Sequence, residues 1–275
     1  MAGRGIDHVV IAVRDLDRVA AVYEGLGFVL TPRAQHPWGT ANRLAQFPGG
    51  NFIELLEIDR PDMMSAPNAA ADPPEFSFGA FNGAYLASDE GMSMLVLQGQ
   101  DSRGDVARYQ AAGILAYAPF DFERKAVLPD GREVDLAFSL ALTTHPDMPK
   151  AAFFTCHNLF PENFWKPEFQ AHTNGANEIV EAVMVGENPS AFAAYLEAFS
   201  GGQAADVEGG IRVDTGGHAI SMLTPVQASR RFPGCSTDTS EGPRFVAFTI
   251  AGNDVPGGIV PASEAGGVAI EWRRQ

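Results

Sequence analysis

The chain is short of lysine and of cysteine. Only three lysines stand among its 275 residues, the arginines are scattered, and the formal charge is −15. Phosphate backbones and anionic bilayers are held by clustered Lys and Arg, so this shortage argues against nucleic acid and against a charged membrane surface as partners. An acidic, solvated exterior accounts for the charge. Two cysteines, Cys156 and Cys235, cannot build a disulfide framework and do not form a metal-type pair. No apolar stretch approaches the roughly 18 residues that span a bilayer. No charged leader and apolar segment precede the first strand, which begins almost at Met1. A soluble, cytoplasmic protein is expected. Also missing are the phosphate loop, the Gly-x-Ser-x-Gly elbow, the dinucleotide fingerprint after a strand and the His-Glu-x-x-His helix, which argues against a covalent-nucleophile hydrolase.

What is present is regular. Apolar residues make up 45% of the chain, enough for two domains of ordinary size or one large one. The helical period appears three times, each time after a short apolar strand. The first helix is expected at 15–24, capped by Asp15 and stopped by Gly25-Leu26-Gly27. The second follows Met94-Leu95-Val96-Leu97, runs over 105–112 and closes at Gly113. The third runs over 188–199, with Asn188 as cap and Pro189 at the first helical position. Extended sequence follows each: 28–34, 41–47 and 52–58; then 134–142 and 151–156; then 209–215 and 218–223. Pro48-Gly49-Gly50, Pro129-Asp130-Gly131 and Gly216-Gly217 mark turns. A fourth, abbreviated copy opens at 244–250 and ends at 267–272 without a good helix. Residues 59–74 read as an irregular excursion. Residues 159–175, with Phe164, Trp165 and Phe169, read as the link between halves. The expected fold is α+β, with tandem βαβββ units in two domains: 1–160 with two units, and 161–275 with one full and one abbreviated unit.

Two polar residues are out of place in these strands. Asp7-His8-Val9-Val10-Ile11-Ala12-Val13 carries a histidine, and Phe52-Ile53-Glu54-Leu55-Leu56 carries a carboxylate. Neither belongs in a plain apolar strand. Alternation sets His8 on one face with Val10 and Ala12, and Glu54 with Phe52 and Leu56; Val9, Ile11 and Val13 are left to pack on the helix. Asn42, Leu44 and Gln46 likewise share a face, and Arg43 takes the other.

A repeated βαβββ unit with His on its first strand and Glu on its last resembles the vicinal oxygen chelate superfamily, which includes glyoxalase I, extradiol ring-cleavage dioxygenases and bleomycin-resistance proteins. Asp7-His8-Val9-Val10, Gly27-Phe28, Trp38-Gly39-Thr40-Ala41-Asn42 and Phe52-Ile53-Glu54-Leu55-Leu56 look most like bacterial glyoxalase-like domain proteins. The resemblance is strongest through residue 60 and over 153–176. It implies paired units that form a cupped sheet around one divalent metal ion (iron, manganese, nickel, cobalt or zinc). The ligands would come from the first and last strands of each unit.

By that resemblance His8 and Glu54 are metal ligands. In the second unit Met94 falls near the position of His8, and Thr155 lies opposite the position of Glu54. His157, two residues on, is then expected as third ligand, which gives a set of two histidines and one carboxylate with open positions. Glu54 and His157 are the expected catalytic groups. His36, Trp38, Asn42 and Gln46 are expected on the substrate side. Cys156 should point into the packing layer, His172 should order the linker, and His145 and His218 should be structural. Val180 and Ser221 fall near the His8 and Glu54 positions of the third unit, and Glu271 ends the fourth without a histidine. The second half is therefore expected to be structural, which counts against an extradiol dioxygenase.

The resemblance implies a metal-dependent enzyme that polarises a small carbonyl or hydroxy-carbonyl substrate and moves a proton beside it, as an isomerase or lyase does. A binding protein of the bleomycin-resistance type and a ring-cleaving dioxygenase are the alternatives. The expected partner is a small-molecule substrate, and a homodimer is left open.

Overall fold

The computed structural model describes residues 3–127 and 131–275, so the turn expected at Pro129 and Asp130 lies outside the described residues. The first unit follows from its punctuation. Strand β1 (Ile6–Ala12) leads to helix α1 (Leu16–Gly25), whose Asp15 cap accepts from the Arg18 N–H at 2.9 Å. Strands β2 (Ala34–Gln35), β3 (Thr40–Gln46) and β4 (Phe52–Ile58) follow. The extended run expected at 28–34 contributes only its last residue to β2. Pro32 has no N–H to give to a ladder, and the run bonds singly instead, Thr31 N–H to the Leu44 carbonyl at 2.8 Å.

The second unit repeats the pattern with β5 (Gly91–Gln98), α3 (Ser102–Ala111), β6 (Phe120–Val127), β7 (Glu133–Thr144) and β8 (Ala152–Asn158). Between the units stands a helix absent from the expected elements, α2 (Phe78–Ser88), capped by Ser77. Its apolar and aromatic residues run all round it and Gly79 and Gly83 interrupt it, so it shows no 3.6-residue stripe. The two units join edge to edge. β1 pairs with β4 in parallel and with β5 antiparallel, giving one eight-stranded sheet in the order β2-β3-β4-β1-β5-β8-β7-β6.

After the short α4 (Pro161–Phe164), the second half forms a seven-stranded sheet. Its elements are β9 (Glu178–Val185), α5 (Ala193–Ser200), β10 (Gln203–Val207), β11 (Gly210–Thr215), β12 (His218–Leu223), α6 (Pro225–Arg231), β13 (Arg244–Gly252), β14 (Gly258–Val260) and β15 (Ala269–Arg274). The strand order is β10-β11-β12-β9-β13-β15-β14, the same plan as the first sheet. The fourth unit has only a 3-10 turn at Ala262–Glu264. Helix α6, capped by Thr224 with Pro225 in its first turn, was not expected from the sequence.

The two curled sheets pack through their backs. Val9 and Ile11 of β1, Tyr23 of α1, Phe153 of β8, Phe199 of α5 and Phe248 of β13 belong to one continuous core that spans both halves. Polar groups tie the seam. Asn51 is fully buried and exchanges two hydrogen bonds with the backbone of Ile179, both 2.9 Å, so it serves as a strand partner to the start of β9. His218 accepts from the Ile6 N–H at 2.8 Å and His172 accepts from the Val29 N–H at 3.0 Å, so both are held structurally. No helix among the described residues is long and apolar enough to cross a membrane. With the backs joined, the inner face of each sheet is left to do something else.

Candidate active site

The inner face of the first sheet carries the polar residues that the alternation singled out. His8 and Glu54 are 5% and 9% exposed and face the same cavity, with His8 Nε2 3.7 Å from Glu54 Oε2. The ladder dictates this closeness: Val10 of β1 pairs with Glu54 of β4, and His8 is one pleat away on the same face. The other imidazole nitrogen, Nδ1, lies 2.6 Å from Asp7 Oδ1. The carboxylate can only accept there, so Nδ1 carries a proton and Nε2 is the nitrogen turned into the cavity. Phe52 stacks on the ring of His8 at 4.3 Å and 13°, and Phe154 meets it edge-on at 5.5 Å, which fixes the plane of the imidazole. Glu54 is held from the far side by Asn42, whose amide donates to Oε1 at 2.7 Å. Asn42 in turn lies 3.5 Å from His36 Nε2, and His36 is anchored through Thr40 Oγ1 at 2.8 Å. Burial pushes the pKa of His36 down against the pull of Glu54, and Arg124 and Arg60 act in the same direction as burial, so this ring is neutral at pH 7.

The walls are aromatic. Trp38 stacks on His36 at 4.7 Å and meets Phe122 and Phe120 of β6 edge-on at 4.9 and 5.2 Å. The curl therefore brings the last strand of the sheet round to the first loop and closes the cup. Helix α2 crosses above it through Phe78, which touches Trp38, Phe120 and Phe154. The cavity left inside measures about 100 Å³, space for roughly three water molecules at bulk volume. Asp7 and Cys156 stand between this cavity and a polar crevice of about 720 Å³ on the other side. Burial, with Asp7 and Glu54 nearby, raises the Cys156 thiol well above its ordinary pKa, so it is no thiolate nucleophile.

A family model for a glyoxalase-like domain matches residues 6–199, the whole first sheet and the start of the second. The chain belongs to the glyoxalase-like domain family. Among curated proteins none matches it. A Staphylococcus aureus protein of solved structure, described only as hypothetical, superposes with a TM-score of 0.72 at 11% identity, over 98% of this chain and 99% of that one. A mutant of 4-hydroxymandelate synthase from Streptomyces coelicolor superposes with a TM-score of 0.54 at 15% identity, over 92% of this chain and 72% of that one. A fusion of a xylose isomerase-like TIM barrel with 4-hydroxyphenylpyruvate dioxygenase gives 0.53 at 15%, over 92% of this chain and 37% of that one. These likenesses place the glyoxalase-like chain in the vicinal oxygen chelate fold, with its two cupped sheets.

The strand registers of this glyoxalase-like chain fix the four positions at which the superfamily resemblance puts metal ligands. His8↔Phe52 opens the β1–β4 ladder and Met94↔Ala152 opens the β5–β8 ladder. Met94 therefore corresponds to His8, as expected, and Phe154 corresponds to Glu54. The expected third ligand, His157, is corrected. Phe154 and Cys156 face the cavity, while Thr155 points to the back of the sheet, where its hydroxyl donates to Asp105 of α3 at 2.7 Å. His157 shares the side of Thr155 and lines the outer crevice with Asp101 and Arg108. A one-residue offset in the counted register exchanges the two faces of a strand, and it moved Cys156 and His157 together.

The substrate-side residues divide. His36, Trp38 and Asn42 line the cavity. Gln46 is on the same face, but its amide donates to the Phe164 carbonyl at 2.9 Å and accepts from the Lys166 N–H at 3.0 Å, so it holds the closing segment instead. Residues not singled out from the sequence also belong here: Asp7 behind His8, Phe78 on α2, and Phe122 and Arg124 on β6. The alternation Phe120-Asp121-Phe122-Glu123-Arg124 is the signal that could have found the last two.

Two of the four ligand positions, Met94 and Phe154, thus hold apolar side chains, and among the described residues no three His, Cys, Asp or Glu side chains converge. Two protein donors, His8 and Glu54, fall short of the three that even an open catalytic site supplies to a resident divalent ion. In the second cup the equivalent positions are Glu181 rather than Val180, Ser221, Ala247 and Glu271. There α6 supplies Arg231, which donates to Glu181 and Glu271 at 2.6 Å each. That cup is filled by the chain itself.

Proposed function

We propose that the first cup catalyses proton transfer beside the carbonyl of a small oxygen-bearing substrate, as an isomerase or lyase does, with His8 as the base. The observation that carries this reading is the imidazole of His8, bonded to Asp7 through one nitrogen and open to an aromatic-walled cavity through the other. A neutral imidazole is suited to this at neutral pH. Nε2 takes the proton from carbon and returns it to the neighbouring carbon or oxygen. The imidazolium formed in between is stabilised by Asp7 on one side and by Glu54 on the other. Asn42 keeps Glu54 turned toward the reacting atoms, and the aromatic walls exclude water. No step requires a co-reactant.

The test is exchange of carbon-bound protons in D2O, followed by NMR across a panel of small hydroxy-aldehydes, keto acids and hydroxy acids. Exchange is expected with chelator-treated protein, and His8→Ala should slow it by about 10²–10⁴-fold. Equal rates in His8→Ala would reject the role of His8, and loss of exchange on chelation would return the reaction to a metal. The aromatic lining favours a second reading, a binding protein for a small aromatic or amphipathic molecule. It predicts binding without exchange, insensitive to His8→Ala.

A further inference from the structure

The cup contains one cation that proton transfer by His8 does not use. On β6 the side chains alternate: Asp121, Glu123 and Lys125 are exposed, while Phe122 and Arg124 line the cavity. Two of the outer ions are paired, Asp121 with Arg103 at 2.5 Å and Lys125 with Asp135. Arg124 is different. Among the described residues its guanidinium has no hydrogen-bond or ion-pair partner, in a chain with 34 acidic residues to 19 basic ones. Burial lowers its pKa, and no neighbouring acid offsets this. The guanidinium is only partly buried beside the apolar rings, so water solvates it when no ligand is present and its donors are open to an anion that enters the cavity.

The position is specific. β4 is third in the sheet order and β6 is last, and the contact of Phe122 with Trp38 shows that the curl carries β6 round to close the cup. The cavity therefore has a negative side at Glu54 and a positive one at Arg124, with the neutral His36 feeling both. An anionic group would be repelled by the first and drawn to the second. A planar carboxylate matches the fork of a single guanidinium through two parallel hydrogen bonds. A phosphate dianion calls for more donors than this cavity of about 100 Å³ offers.

We propose that Arg124 anchors a carboxylate of the substrate, so that the cup takes a small carboxylic acid with its carbonyl or hydroxyl carbon turned toward His8 and Glu54. This rests on the reading of the cup as the reactive site and adds the substrate class to it.

The probes are pyruvate, glycolate and lactate, each against its primary amide, with binding read from the indole N–H resonance of Trp38. The acids should saturate, the amides should bind at least tenfold more weakly, and Arg124→Met should weaken the acids by more than tenfold. Arg124→Lys, which keeps charge but not the fork, should fall between and serves as a second variant if Arg124→Met folds poorly. Acids that fail to saturate, or that bind Arg124→Met as tightly as the parent, would overturn the anchor. Binding that depends on Arg124 in a protein that exchanges no carbon-bound proton would keep the anchor and reject proton transfer. Exchange that persists equally on acids and amides in Arg124→Met would do the reverse.

Discussion

Asp7 shows what a single residue contributes when its neighbour is the reactive one. Asp7 lines the outer crevice and not the cup, yet its hydrogen bond to His8 Nδ1 fixes a proton on that nitrogen. Asp7→Asn can present either an oxygen or an amide to Nδ1, and the amide orientation would force the proton onto Nε2 and blunt the base. The expected result is a fall in kcat of about 10–100-fold with KM little changed, measured on whichever acid proves to exchange. The pair of His8 and Glu54 was legible in the sequence because polar residues in apolar strands are expensive and alternation assigns their face. Asp7 was legible only as part of the motif, since its role depends on a tautomer. Arg124 was not legible at all. A charged residue among Asp121, Glu123 and Lys125 reads as solvent-facing until the curl of the sheet is known.

At the scale of elements, strand order and helix stops could be read from glycine and proline, and α1 stands where its Asp15 cap puts it. Helix α3 begins three residues earlier than expected, capped by Asp101. Asn188 makes no side-chain cap, because Pro189–Phe192 is a 3-10 turn and α5 begins only at Ala193. Register was harder. A count from the helix-closing glycines is good to about a residue, and a strand forgives none, which is why His157 and Val180 were each assigned to the wrong face. The cup of the second sheet shows how much the correct register matters. Glu181, 1% exposed, accepts from Ser221 at 2.6 Å and from Arg231, Arg273 and Arg212. Burial pushes its pKa up, but Arg231 first, then Ser221 and Arg212, bring it down to about 2. A carboxylate with a depressed folded pKa contributes stability that is complete above its unfolded value near 4.5 and is lost as pH falls from there toward 2. Urea unfolding of the parent should therefore weaken steeply across that window. In Glu181→Gln the midpoint should start lower at pH 7 and change less on acidification.

For the whole molecule, the backs of the sheets are the common foundation. Phe153 is fully buried and meets Tyr195, Phe199 and Phe245 of the other half at ring distances of 5.2–5.5 Å. Phe153→Ala should cost about 3–5 kcal/mol, read from denaturant midpoints, with the two halves losing structure together because they share one core. The same packing leaves the two cups unequal. In the second, Arg231 is a cation on a tether, present at an effective concentration that no free solute matches and unable to diffuse away. Its stabilising effect is built in and needs no ligand from solution. The first cup has no such tenant, so whatever binds there raises the stability of the fold by RT ln(1 + [L]/Kd). Because the two halves share one core, ligand-dependent melting of the whole chain would then report occupancy of the first cup.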